Sequence, residues 1–165
     1  MSRSPYVPGA SPADYDWERP GNARIVTIGR ITDDARVQHI DTQVRLARAV
    51  VENLRPAELA AELHDGDIVL VDVREPYEMG SGTIGGAISV PRGVVEFVAD
   101  PAGPGHRAGL DPRRRVVVFC DTGARSALVV HALYALGYRD VAHLDGGLAA
   151  WVADGRTLMP QSVVG

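Results

Sequence analysis

Residues 116–133 read VVVFCDTGARSALVVHAL, and this stretch decides the fold. The unbroken apolar run at 116–119 suits a strand covered on both faces, as in a parallel sheet. Cys120 ends the run and a short loop follows. A helix is then expected from about Ala124 to Leu136, with Gly137 as its stop. In open parallel sheets, ligands collect at the carboxyl ends of the strands. Cys120 stands at such an end.

Working outward, IVLVDV at 68–73 is a second buried run, followed by a polar helical stretch at 75–79 and the glycines Gly80 and Gly82. AISV at 87–90 reads as a short strand closed by Pro91, and VAHL at 141–144 as the last strand. Gly146 and Gly147 lead into a closing helix that carries Leu148 and Trp151. Pro56 suits the first turn of another helix, Val94, Val95, Phe97 and Val98 suit a helix face, and residues 100–114 read as an exposed loop. Strands and helices alternate throughout. This predicts an α/β domain whose central parallel sheet of about five strands is flanked by helices on both sides.

Upstream, RIVTIGRI at 24–31 predicts a short strand. Val37, Ile40, Val44, Ala47 and Val51 recur at helical steps behind the acidic Asp33 and Asp34. The expected organisation is an N-terminal extension at 1–50, made of a disordered tail and a helix, then a domain at 51–158 and a tail at 159–165. The extension helix is expected to pack on the domain or to form a homodimer contact.

The chain has 165 residues, of which 45% are apolar and 23% charged, enough for one domain with its own core. A formal charge of −4 argues against nucleic acid as a partner. No run of 18 apolar residues is present, so no membrane span is expected. The first 22 residues lack the apolar stretch of a secretory signal, and the expected location is cytoplasmic. The single cysteine excludes an internal disulfide, a thiolate-rich metal cluster and an intramolecular dithiol cycle. His64, His106, His131 and His143 show no metal-ligand spacing and read as surface or packed residues, and His39 suggests nothing specific. Trp17 and Trp151 read as packing residues. There is neither a P-loop nor a dinucleotide fingerprint, so no metal and no cofactor is expected.

The loop Cys120, Asp121, Thr122, Gly123, Ala124, Arg125 carries the candidate chemistry. A loop that curls into a helix N-terminus turns successive N–H groups inward and makes a nest for an anion. A thiolate at its centre is stabilised, and the thiolate is the nucleophile. Gly123 supplies the backbone freedom, Arg125 is placed to clamp an oxyanion, and Ser126 to cap the helix or add a hydrogen bond. Asp72 and Arg74 read as a strand-end ion pair that orders the sheet, and Arg74 equally as a cation near the loop that can hold an anionic donor, with Arg92 as a further residue at the mouth.

Three stretches resemble the rhodanese family of sulfurtransferases, in the family's order. They are the cysteine loop, LVDVREPYEMGSGTIGGAISVPRG at 70–93 and YALGYRDVAHLDGGLAAW at 134–151. The resemblance covers about 51–155. It implies a rhodanese fold, a persulfide on Cys120, and transfer of sulfur from a small sulfane donor to cyanide, a thiol or a protein acceptor. Thr83 stands where the family usually has His, and Gly85 replaces a proline. Asp121 beside the cysteine opposes a dianionic donor by on the order of 2 kcal/mol per unit charge at about 5 Å if its carboxylate points inward, and does little if it points outward. A persulfide donor is thus as plausible as thiosulfate. A phosphatase needs five residues between Cys and Arg, and this loop has four. The remaining alternative is a non-catalytic rhodanese-like binding module, although such modules commonly lack the cysteine.

Overall fold

In the computed structural model, which describes residues 39–160, five parallel strands form one sheet in the order β1-β5-β4-β2-β3. They are β1 Glu52–Leu54, β2 Ile68–Asp72, β3 Ile88–Ser89, β4 Arg115–Phe119 and β5 Val141–Leu144. Around them lie α1 Ile40–Val50, α2 Pro56–Asp65, α3 Val95–Ala99, α4 Ala124–Ala135 and α5 Gly147–Ala153, with a 3-10 helix at Pro76–Ser81. Side chains alternate between two covered faces. Along β4, Val116, Val118 and Cys120 enter one core with Val95 of α3 and Val129, Val130 and Leu133 of α4. Val117 and Phe119 enter the other with Leu59 of α2 and Leu148 and Trp151 of α5. The expected fold class is the observed one.

The fifth strand is β1, which hydrophobic periodicity does not announce. It is three residues long, lies at the sheet edge and exposes Glu52 and Asn53. An edge strand tolerates polar residues that a central strand does not. The strand expected at 24–31, the start of the extension helix and residues 161–165 lie outside the described residues. Within them, α1 packs on α4 of its own chain, burying Ala47 and half-burying Val44 and Arg48. Ile40, in its first turn, is 60% exposed. At the other end, Met159 exchanges backbone hydrogen bonds with Thr83 (2.9 and 2.8 Å), so contacts run one residue past the expected boundary at 158.

The amino ends of the strands are tied by Arg115. Its guanidinium donates to Glu52 (2.7 Å), Glu62 (2.8 Å) and Asp140 (2.9 Å), joining β1, α2 and the turn before β5. The buried Tyr138 hydroxyl lies 2.9 Å from Ala99 O and 2.8 Å from Leu110 O, pinning the 100–114 segment to the core. Burial pushes its pKa up to about 12. The opposite, carboxyl ends of the strands are left for the loop after β4. No helix among the described residues is long and apolar enough to cross a membrane.

Candidate active site

Cys120 follows the last residue of β4 and is completely buried, while Asp121 and Thr122 after it are exposed. The chain then turns sharply at Gly123, whose φ of 83° lies in the left-handed region where a side chain is strained. Gly123 is the N-cap of the twelve-residue helix α4, and its N–H donates to Cys120 Sγ at 3.2 Å. The sulfur thus has an amide donor and the positive end of a helix in front of it, an arrangement that favours negative charge. Behind the loop, α5 approaches closely enough for Leu148 N to donate to Cys120 O (2.9 Å) and Ala149 N to Asp121 O (3.0 Å). Gly147 permits this approach, because a Cβ there would stand 2.5 Å from Cys120 O.

Ser126 does not cap the helix. It is buried in the first turn, with its hydroxyl 3.7 Å from Cys120 Sγ and 3.3 Å from His143 Nδ1. His143 sits on the same sheet face as Cys120 because β5 pairs in register with β4, His143 opposite Val118. Asn53 Nδ2 donates to Arg48 O (2.9 Å) and Val51 O (2.8 Å), which turns its Oδ1 to His143 Nε2 at 2.7 Å. Nε2 therefore carries the proton and Nδ1 is the acceptor. Ser126 donates to Nδ1, and its oxygen accepts from the Cys120 thiol. When the sulfur is ionised, the one hydroxyl proton has two claimants. Burial holds the His143 pKa down to about 4, so the ring is neutral near pH 7.

The two arginines near the loop, Arg125 and Arg48, have partners, while Asp121 is exposed. Arg125 donates from both terminal nitrogens to Glu78 of the 3-10 helix, each at 2.6 Å. This pair lowers the Glu78 pKa to about 2 and raises that of Arg125, to which the nearby Cys120 also contributes. Arg48 of α1 donates to Thr122 O (3.2 Å) and lies 3.8 Å from Asp145. Ala124, half-buried, is the first residue of α4.

Arg74 is not at the mouth. It is 1% exposed and donates to both Asp72 oxygens, to Glu78 O (3.2 Å) and to Gly82 O (2.7 Å). Its guanidinium is a post that holds the 76–82 segment, with none of its nitrogens free for a donor. Thr83 donates to Asp72 Oδ2 at 2.8 Å, so the departure from His at this position completes the same buried network. Arg92 is occupied by Glu96 (2.6 and 2.8 Å). No group of three or more metal-binding side chains occurs among the described residues.

Glu78, His143, Asn53 and Arg48 are the site residues that sequence reasoning missed. A signal existed for His143, a polar residue near the carboxyl end of an otherwise apolar strand. Arg48 gave none, being one arginine on an amphipathic helix.

The model of the rhodanese-like domain matches residues 55–154. The probable adenylyltransferase/sulfurtransferase MoeZ of Mycobacterium tuberculosis is 36% identical over 99 residues, covering 59% of this chain. The matched segment spans only 24% of that longer relative. Among solved structures, the polysulfide-sulfur transferase homodimer of Wolinella succinogenes superposes with a TM-score of 0.60 at 31% identity, covering 75% of this chain and 89% of that one. A Rhodopseudomonas palustris protein of unknown function, described as a possible tyrosine phosphatase, gives 0.70 at 32% identity, over 74% and 96% of the two chains. With a match over 100 of 165 residues, the chain belongs to the rhodanese-like domain family.

Proposed function

We propose that the protein is a sulfurtransferase that carries sulfane sulfur as a persulfide on Cys120 and passes it to a thiol or protein acceptor, with cyanide serving in vitro. The observation that carries this reading is the Gly123 N–H held 3.2 Å from Cys120 Sγ at the start of α4. In the loading step the Cys120 thiolate attacks the outer sulfur of a donor R–S–SH. The new bond joins Sγ to that sulfur, the donor's S–S bond breaks, and its electron pair leaves on R–S, which takes the proton. Cys120 becomes a persulfide anion and the donor a thiol. In the discharge step an acceptor thiol attacks the outer sulfur, leaves as a persulfide, and the thiolate returns. Both steps conserve charge, and neither needs a second cysteine.

The loop favours this chemistry over phosphate-ester cleavage. Four residues separate Cys120 from Arg125, one fewer than an oxyanion-sized loop requires, and Arg125 is engaged by Glu78. The same pairing supports a thiol persulfide as donor over thiosulfate, because Arg125, the cation of the loop, is already bound by Glu78. Intact-mass measurement after incubation with candidate donors tests the reading. Wild type should gain one sulfur atom that a reductant removes, and Cys120→Ser should gain none. Equal and negligible thiocyanate formation by both proteins with every donor would instead support a binding module.

A further inference from the structure

We propose that Arg48, on a helix outside the matched family segment, is a positioning residue that keeps the Gly123 N–H directed at Cys120. The proposal rests on Cys120 being the reactive sulfur. A trans peptide is planar, with its C=O and N–H pointing in opposite directions. Whatever draws a loop carbonyl outward therefore drives the next residue's N–H inward. Three consecutive carbonyls of this loop are drawn outward. Cys120 O and Asp121 O are held by the backbone of α5, which lies inside the family segment. Thr122 O is held by a side chain, Arg48 Nη2 at 3.2 Å. The N–H on the far side of that third peptide belongs to Gly123 and is the donor on Sγ.

Two further observations agree. A Cβ on Gly123 would lie 3.0 Å from Arg48 Nη2, so the glycine leaves the space that the guanidinium fills. The Arg48 backbone carbonyl accepts from Asn53, whose amide orients His143 toward Ser126. One turn of α1 thus reaches the sulfur by two routes, through the Thr122–Gly123 peptide and through the Asn53–His143–Ser126 chain. The extension helix is part of the reactive unit. The other charged or titratable groups around the sulfur are Asp121 and Arg125 of the loop, Glu78 of the 3-10 helix, and His143 and Asp145 at the end of β5.

The test is the rate of Cys120 alkylation by iodoacetamide as a function of pH, in wild type, Arg48→Met and Arg48→Lys. Methionine keeps the aliphatic stem and removes the donor, whereas lysine keeps one donor and the charge. Weakening one amide bond to an anion should move the alkylation midpoint upward by about one pH unit, about tenfold in rate below it. Arg48→Lys should recover part of the shift, and circular dichroism should show all three proteins folded. A wild-type profile in Arg48→Met, or no recovery in Arg48→Lys, overturns the proposal. Alkylation needs no sulfur donor, so the two readings separate. If wild type takes up no sulfur while the midpoint still moves, the sulfurtransferase reading fails and Arg48 stands. If sulfur loads and the midpoint stays, Arg48 fails alone.

Discussion

Replacing Glu78 with glutamine tests what Arg125 is free to hold. Arg125 grips both Glu78 oxygens at 2.6 Å and is the main reason that carboxyl falls from 4.5 to about 2. A drop of that size corresponds to about 3 kcal/mol. The two side chains are 33% and 19% exposed, and the Glu75 amide supplies part of the effect. Solvent screening leaves the pair about 1–2 kcal/mol. An oxyanion donor that recruits Arg125 must first displace Glu78, so that energy stands against it, about tenfold in KM. Glutamine retains an oxygen for the Glu75 N–H, now 2.8 Å from Oε2, so the start of the 3-10 helix survives. Thiocyanate formation at saturating cyanide is the assay. The KM for thiosulfate should fall about tenfold in Glu78→Gln, while that for an alkyl persulfide changes little. A thiosulfate KM equal to or above the wild-type value would refute the view that Glu78 withholds Arg125 from anions.

Acid should destabilise the fold through His143. Burial lowers its pKa from 6.5 to about 4, so between these values the unfolded chain binds a proton that the folded chain does not. Stability is complete above pH 6.5 and declines as pH falls toward 4, by about 3 kcal/mol at the lower end. Glu78 adds a further loss only below its ordinary 4.5. Urea midpoints should drop across this window in wild type and much less in His143→Gln; a flat wild-type profile from pH 7 to 4.5 refutes the assignment. Asp72→Ala leaves the 1%-exposed Arg74 guanidinium without its counter-charge. It should cost about 3–5 kcal/mol in thermal or urea unfolding, and a wild-type Tm would show the pair to be dispensable.

The fold was legible where burial is two-sided. The runs at 68–73, 116–119 and 141–144 announce β2, β4 and β5 because a central parallel strand has no polar face. β1 escaped because three residues at an edge carry too short a pattern. The loop was legible for a local reason: cysteine, glycine and helix start lie within four residues, and the N-terminal geometry of a helix follows from its backbone alone. The Asp72–Arg74 ion pair was legible from two opposite charges at a strand end. Their neighbours in sequence do not reveal that the carbonyls of Glu78 and Gly82 also converge on Arg74 and leave none of its nitrogens free for a donor. Glu78, His143, Asn53 and Arg48 are brought to the loop by sheet order and by α1 docking, and no local pattern encodes those distances. Ser126 was recognised as a polar residue of the first turn. Its role depended on a histidine 17 residues away.

On the proposed reading, the charge at the site is the same before and after loading. The empty enzyme carries it on Sγ, and the persulfide carries it one bond further out, about 2 Å away. A cation locked beside Sγ would favour one position over the other, whereas peptide dipoles and a helix N-terminus can serve both. Arg125, which lies near the sulfur, has its charge offset by Glu78, and Arg48 is engaged by Thr122 O and Asp145. Ser126 then separates the two states. An empty thiolate competes with His143 Nδ1 for the single hydroxyl proton, and satisfying one leaves the other without its donor. Once sulfur is bound, Sγ is a neutral bridging atom and a weak acceptor, so the hydroxyl returns to His143 without conflict. On this reading the buried chain from Asn53 to Ser126 disfavours the empty thiolate relative to the loaded one, while the Gly123 N–H and the start of α4 face Sγ.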